Sequence, residues 1–311
     1  MNDRFPPNQS VPSSVPLNRR SFIGTAAAAG AGAALSLAPA AGLARSSGPA
    51  GDSARTPTGK APRVPGIQLY TLRGSMAENA DATLTAVAAM GYGAVEFAGL
   101  HGNSARALRS RLDDLGLDAP AGHVDPHALK ADPGPLIEDA VTLGHRYLVV
   151  AWLAEEFRQT ADDYRGWADV LNRAGEAAKD AGIRMAYHNH EFEFETLDGE
   201  MPQRILLAET DPSLVDFELD FYWVTKAELE IADVLAWAPE RFTLAHIKDM
   251  DTEGNITDVG TGTIDFAGLL NSEHGRHIIH PFVEHDHPPD AFRTAAVGRW
   301  NLSRALEEPE V

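Results

Sequence analysis

The sequence predicts an α/β protein with a single closed (β/α)8 barrel, the TIM-barrel architecture, behind a leader and a linker. From Val64 onward, short apolar runs alternate with longer helical segments, the pattern of parallel β/α units. Eight such units fit into about 245 residues, the size of one closed barrel. The apolar runs end in His, Glu, Asp and Lys, where stability alone would ask for Gly, Asn, Ser or Pro. An open doubly wound sheet is the rival, but no Gly-x-Gly-x-x-Gly follows the first apolar run. Beyond the β/α alternation no internal repeat is evident.

Residues 1–44 read as a targeting segment, separate from the fold. Arg19-Arg20-Ser21-Phe22-Ile23 joins a twin arginine to a hydrophobic step, and 24–37 is a weakly apolar Ala/Gly run. Ala38-Pro39-Ala40 and Gly42-Leu43-Ala44 supply small residues suited to a signal peptidase. Diluted by glycine, the run makes a poor membrane span, so export by the twin-arginine machinery to the periplasm or the exterior is expected. Residues 45–63, rich in Ser, Gly, Pro and Thr, read as a flexible linker, and 64–311 as the barrel.

Within the barrel, the pattern places strands over 66–70, 94–97, 118–123, 146–152, 183–190, 215–220, 242–248 and 278–284. The intervening helices fall over 81–90, 104–115, 135–143, 160–181, 201–209 and 231–237, then from Asp265, with 290–306 closing the chain. Gly91 ends the first of these helices.

Of the 311 residues, 44% are hydrophobic, enough to bury one large domain. The 26 basic and 45 acidic residues give a net charge of −19, and removing residues 1–44, which hold three basic and one acidic residue, leaves 23 and 44, or −21. Such a field repels nucleic acid and anionic membranes. The chain has no cysteine, which excludes disulfides, thiolate metal ligands and a cysteine nucleophile. Nothing in the pattern decides the oligomeric state, so a homo-oligomer stays open.

Barrel enzymes carry their chemistry at the carboxyl ends of strands. Here those ends bear Gln68, Tyr70, Glu96, His123, Trp152, His188, His190, Asp220, His246, Lys248, Glu284 and His285. His188 and His190 are two residues apart, so an extended chain turns both to one face. His188, Asp220, His246 and Glu284 are 32, 26 and 38 residues apart, each about one β/α unit. They would arrive on adjacent strands around one rim, where a divalent cation finds N and O ligands from several directions. Plainer readings compete: Asp220 as a cap for the Phe221-Tyr222-Trp223 segment, His246 as a satisfied core histidine, and Glu284 as a loop-facing carboxylate.

The residues Tyr187-His188-Asn189-His190, Glu218-Leu219-Asp220, His246-Ile247-Lys248-Asp249, Gly260-Thr261-Gly262-Thr263-Ile264-Asp265-Phe266 and Val283-Glu284 resemble the sugar phosphate isomerase/epimerase family of xylose-isomerase-like TIM barrels. The resemblance spans essentially the whole expected barrel. It implies one divalent cation (manganese, magnesium, cobalt or zinc) held at matching positions Asp220, His246 and Glu284. The family's fifth-strand ligand is usually a glutamate, and here that position is His188. The fourth ligand is therefore His188 itself, or Glu191 or Glu193 folding back from the next loop.

The expected activity is a metal-dependent sugar isomerase or epimerase acting through an enediolate, with a keto-sugar lyase or dehydratase as the other outcome of that intermediate. Glu284 and His190 are candidates to move the proton, and Lys248 to hold a substrate oxygen. Tyr70, Glu96, His123, Trp152, Tyr222 and Trp223 are candidate substrate contacts, the aromatics by stacking on a sugar ring. The Tyr-His-Asn-His variant resembles that of family members acting on keto-sugars and inososes, which implies a non-phosphorylated sugar, keto-glycoside or inosose, and the lack of a Gly-rich phosphate grip fits this. A silent carbohydrate-binding barrel is the alternative. A metal-dependent endonuclease shares the architecture, but the negative charge opposes it.

Overall fold

A computed structural model describes residues 63–307. The expected leader lies outside the described residues, as does all of the expected linker except Arg63.

Eight parallel strands close into a barrel. They are β1 (Gly66–Gln68), β2 (Ala94–Phe97), β3 (Asp118–Val124), β4 (Tyr147–Val150), β5 (Arg184–His188), β6 (Val215–Asp220), β7 (Phe242–Ile247) and β10 (His280–Val283). Each pairs with the next in that order, and β1 pairs with β10 to complete the ring. An antiparallel hairpin, β8 (Asp249–Met250) with β9 (Ile256–Thr257), sits after β7.

Around the ring run α1 (Arg73–Ala89), α2 (Ala105–Leu115), α3 (Pro126–Ala131), α4 (Gly134–Leu143), α5 (Ala161–Ala178), α6 (Pro202–Glu209), α7 (Phe221–Lys226), α8 (Ile231–Trp237), α9 (Phe266–Asn271) and α10 (Ala291–Leu306). Several starts are set by side-chain caps: Ser104 accepts from the Ala107 N–H, Asp265 from Gly268 and Asp290 from Arg293, while Thr160 and Asp163 form a capping box. The first helix begins earlier than the pattern predicts. Its backbone breaks at Asn79, whose side chain accepts from the Ala82 N–H at 3.0 Å and so restarts the helix near the expected residue. The helix α3 and the small hairpin are absent from the predicted pattern, being too short to show a period, and α7 entered it only as the segment that Asp220 would cap.

Two layers of core follow from strand alternation. Residues such as Ile67, Val95, Met185, Phe217, Leu219 and Ile247 pack in the main apolar cluster with the helices. A smaller cluster holds Ala94, Ala121, Tyr147, Val149, Ala186, Leu244 and Phe282. Its parity on each strand marks the barrel lumen, so Glu96, His123, His188, Glu218, Asp220, His246 and Glu284 share that interior. At the amino end of the lumen, Arg184 holds Asp216 through two nitrogens, both at 2.7 Å.

Candidate active site

The site is built where β5, β6, β7 and β10 end. His188 is the last residue of β5, and Asp220 the last of β6, paired across the ladder with His246 of β7. Glu284 follows β10, and its backbone N–H bonds to the Ile247 carbonyl at 3.2 Å. One donor atom from each of His188, Asp220, His246 and Glu284 lies within 4.8 Å of the others, and all four residues are buried. Thus the four side chains expected at one rim do meet.

Their contacts say what the cluster lacks. The His188 Nδ1 lies 3.0 Å from the Ala151 carbonyl, which can only accept, so Nδ1 carries a proton. Its Nε2 faces Asp220 Oδ2 at 3.3 Å. A proton or a metal ion must lie between that nitrogen and that carboxylate. His246 Nδ1 approaches Glu284 Oε2 to 2.8 Å without hydrogen-bond alignment. A buried imidazole and carboxylate in close, unaligned contact suit a shared cation better than a shared proton. With two imidazoles and two carboxylates, the donor set fits a borderline transition ion.

Lys248 lies just past β7 with its ammonium at 2.9 Å from Asp220 Oδ2, 2.8 Å from Glu284 Oε2 and 2.9 Å from Asp286 Oδ1. An ammonium has three N–H donors, and three carboxylates take them. Lys248 is therefore not free to hold a substrate oxygen, as the strand pattern led one to expect; instead it fixes the geometry of Asp220 and Glu284. Although burial lowers it, the three carboxylates raise the Lys248 ammonium well above its ordinary range. Burial raises Asp220 and Glu284, but Lys248 and the neighbouring imidazoles hold both well below the carboxylate range.

His190 lies beyond the end of β5, as the extended residue just before a short turn of 3-10 helix over Glu191–Phe194. Its ring meets that of His188 edge-on at 4.9 Å between centroids, stacks on Phe192 at 5.3 Å and tilts against Trp223 at 5.3 Å. Burial, then the charges of His188 and Lys248, hold its imidazole well below the usual histidine range. Among the described residues no hydrogen-bond partner reaches His190 Nδ1, Trp223 Nε1 or Asn189 Nδ2, all buried. Unsatisfied buried groups are expensive, and three beside one cluster mark where a polar ligand would bind.

Other expected residues have different surroundings. Glu96 is fully buried, accepts from Gln68 Nε2 at 2.8 Å and contacts His246 Nε2 at 2.8 Å, so it supports the cluster from inside the barrel. His123 stands near Glu96 and Glu218, each 3.4 Å away. Burial lowers its imidazole, yet these carboxylates push it up to about 9. Tyr222 donates its hydroxyl to the Gly254 carbonyl at 3.1 Å and so ties α7 to the β8–β9 hairpin. Tyr70 lies under Arg73, whose guanidinium is 4.2 Å from the ring centroid. Trp152 is half-buried in the loop after β4.

Of the alternative fifth-strand ligands, Glu193 turns away. It accepts from the Tyr187 hydroxyl at 2.6 Å and the His190 N–H at 2.7 Å, and burial pushes its carboxyl up to about 8. Asp220 also caps α7, accepting the Trp223 N–H through Oδ1, which leaves Oδ2 for the cluster. The ligand and cap readings are thus compatible, one per oxygen.

Sequence reading gave no site role to Asp286, nor to Glu218 and Asn189, although the last two lie inside the motifs it singled out. Glu218 precedes Asp220 by two residues on β6, a period-two signal that was present in the chain. Asn189, whose Oδ1 accepts the Asp220 N–H at 3.0 Å, carried no such signal. Asp249 explains the Gly260–Phe266 motif: its carboxylate accepts from the N–H groups of Gly260 and Gly262, both at 2.9 Å, and of Ile264 at 3.2 Å. Two surface grooves, each of about 510 Å³, lie away from this cluster, one lined by Lys130, Phe157 and Trp167 and the other by Arg241 and His277.

Comparison with known proteins extends this geometry. A solved sugar phosphate isomerase/epimerase from Parabacteroides distasonis superposes with a TM-score of 0.68 at 25% identity, over 78% of this chain and 94% of that one. The IolI protein with a bound zinc atom gives 0.62 at 17% identity, over 78% and 98%. A D-tagatose 3-epimerase-like protein gives 0.58 at 17%, over 78% and 98%. No curated protein matches the chain. The family model described as xylose isomerase-like TIM barrel matches residues 84–274, more than half of the chain and every strand from β2 to β7, and the chain therefore belongs to that family.

Proposed function

We propose that the protein is a divalent-metal-dependent sugar isomerase or epimerase acting on a non-phosphorylated sugar, keto-glycoside or inosose, with elimination from the same enediolate as the lyase variant. The observation that carries this reading is the convergence of His188, Asp220, His246 and Glu284, each offering one buried donor atom. It is supported by the similar folds of a sugar phosphate isomerase/epimerase and of a zinc-bound protein.

His188, Asp220, His246 and Glu284 would hold the ion. When bound, it supplies Lewis-acid stabilisation of negative charge on a substrate oxygen. Lys248 keeps Asp220 and Glu284 ionised and aimed. His190, whose imidazole burial holds well below the usual histidine range, accepts the proton from the carbon beside the substrate carbonyl. Glu284 is less suited to that role because its Oε2 already accepts from Lys248. Trp223 Nε1 and Asn189 Nδ2 donate to sugar hydroxyls. Returning the proton to the same or the neighbouring carbon separates epimerisation from isomerisation.

Metal analysis of the purified protein and of Asp220→Ala and Glu284→Ala tests the site, with metal content falling in both variants. Free sugars, 3-keto-glycosides and inososes incubated in deuterated water with manganese, cobalt or zinc then test the chemistry by NMR. Solvent deuterium at a carbon beside a carbonyl is expected; product without any deuterium in any metal would reject the enediolate. Binding without turnover is what a silent carbohydrate-binding barrel would give. Export is part of the same proposal, and secretion of a 1–44 reporter fusion should stop when Arg19 and Arg20 become lysines.

A further inference from the structure

We propose that a second divalent transition-metal ion, four-coordinate and of the zinc class, binds deeper in the barrel between Glu96, His123, Glu218 and His246. The site shares His246 with the one above but does not depend on the proposed reaction. One donor atom from each of these residues lies within 4.8 Å of the others.

Three of the four nitrogen–oxygen contacts approach the spacing of a metal shell, and the fourth, His246 Nε2 to Glu96 Oε2, is at hydrogen-bond distance. His246 Nε2 is 2.8 Å from Glu96 Oε2 and 3.2 Å from Glu218 Oε2, and His123 Nε2 is 3.4 Å from each of the same oxygens. A tetrahedral ion with bonds of about 2.0–2.1 Å sets its donors about 3.3–3.4 Å apart. Both carboxylates bring the same oxygen, Oε2, to both imidazoles. Their other oxygens, Glu96 Oε1 and Glu218 Oε1, are buried and have no hydrogen-bond partner among the described residues. Two carboxylates serving two N–H donors would spread the bonds over their free oxygens. Convergence of one atom per residue on one point is what an ion requires.

Gln68 borders the same cluster. The Tyr70 N–H donates to Gln68 Oε1 at 2.9 Å, which fixes the amide orientation. Its Nε2 then donates to Glu96 Oε2 at 2.8 Å and stands 3.0 Å from His123 Nε2. The same amide nitrogen is 3.5 Å from His123 Nδ1, so it lies beside the imidazole and off the axis of either ring nitrogen.

Nitrogen in half the shell argues against calcium and magnesium, which prefer oxygen. Four protein donors leave no open position for water, so the ion is structural. His246 joins the two sites through opposite ring nitrogens, Nε2 here and Nδ1 toward Glu284. The deep ion would therefore orient the ring used by the outer one, and filling both removes the last ring proton.

Crystals of the unsubstituted protein grown with zinc, measured at the zinc absorption edge, decide the matter without a variant. An anomalous peak among Glu96, His123, Glu218 and His246 is expected; a peak beside Asp220 alone, or no peak, overturns the proposal. A deep peak with none beside Asp220 would instead remove the catalytic ion and leave this one standing. Cobalt(II) substitution adds a solution readout, because tetrahedral cobalt absorbs visible light far more strongly than six-coordinate cobalt. Asp220→Ala should retain about one equivalent and the strong spectrum, and Glu96→Gln with Glu218→Gln should lose that spectrum. Its survival in the double variant would equally overturn the assignment.

Discussion

Replacing Lys248 by methionine probes the charge balance of the site. The ammonium is 1% exposed and lies within 2.9 Å of carboxylate oxygens of Asp220, Glu284 and Asp286. Methionine keeps the length of the side chain but leaves three carboxylates without their counter-charge. Breaking one partner from a buried ion pair costs about 3–5 kcal/mol, which in a domain of this size corresponds to a melting temperature lower by roughly 6–20 °C. A divalent ion should reverse much of the loss, because it binds two of the same oxygens. At an ion concentration of 100 Kd it stabilises any form that binds it by about 2.7 kcal/mol, and Lys248→Met should bind it more tightly than the unsubstituted protein. Thermal unfolding of both proteins with chelator and across a zinc or manganese titration measures this. Equal stabilisation of the two by metal, or none, would refute the idea that Lys248 and the ion share ligands.

Other consequences are open to direct measurement. Asp220→Ala should weaken metal binding by at least about tenfold in calorimetric titration, since one anionic ligand is lost. His190→Gln should leave metal affinity nearly unchanged while suppressing deuterium incorporation by about 10²–10⁴-fold, the usual worth of a general base. Burial raises the Glu193 carboxyl to about 8, so its stabilising contribution is complete below the ordinary carboxylate range and fades as pH rises through about 8. Urea unfolding should show the native protein losing stability over that window by about 1–3 kcal/mol more than Glu193→Gln; parallel pH profiles would contradict the assignment. Asp249→Ala should free the Gly260–Ile264 loop, which loses three N–H partners, at a cost of about 2–4 kcal/mol by denaturant titration.

Much of the barrel was legible in the chain because period two and period 3.6 are local signals. The run 215–220 was read to the residue, as was 231–237, since apolar runs and their breakers lie side by side in sequence. The reading of β5 ran two residues too far: an extended chain and the turn at Glu191–Phe194 carry the same His and aromatic residues, and the carboxylate of Glu193 that closes the turn acts through space. Spacing of about one β/α unit was enough to bring His188, Asp220, His246 and Glu284 to one rim. It was not enough to tell a rim residue from one a layer deeper, which is why Glu96 and His123 were expected at the mouth.

By itself the sequence determined the strand and helix rhythm, the strand-end polar residues and the negative charge, all of which follow from neighbours along the chain. Only the tertiary structure decided which oxygen faces which nitrogen: that Lys248 spends its three donors on carboxylates, that Glu193 turns outward to Tyr187, and that His246 is shared by two sets of ligands. Those outcomes depend on distances between residues up to 150 positions apart, as between Glu96 and His246. A closed ring of strands sets such distances through register and shear, quantities that no local pattern encodes.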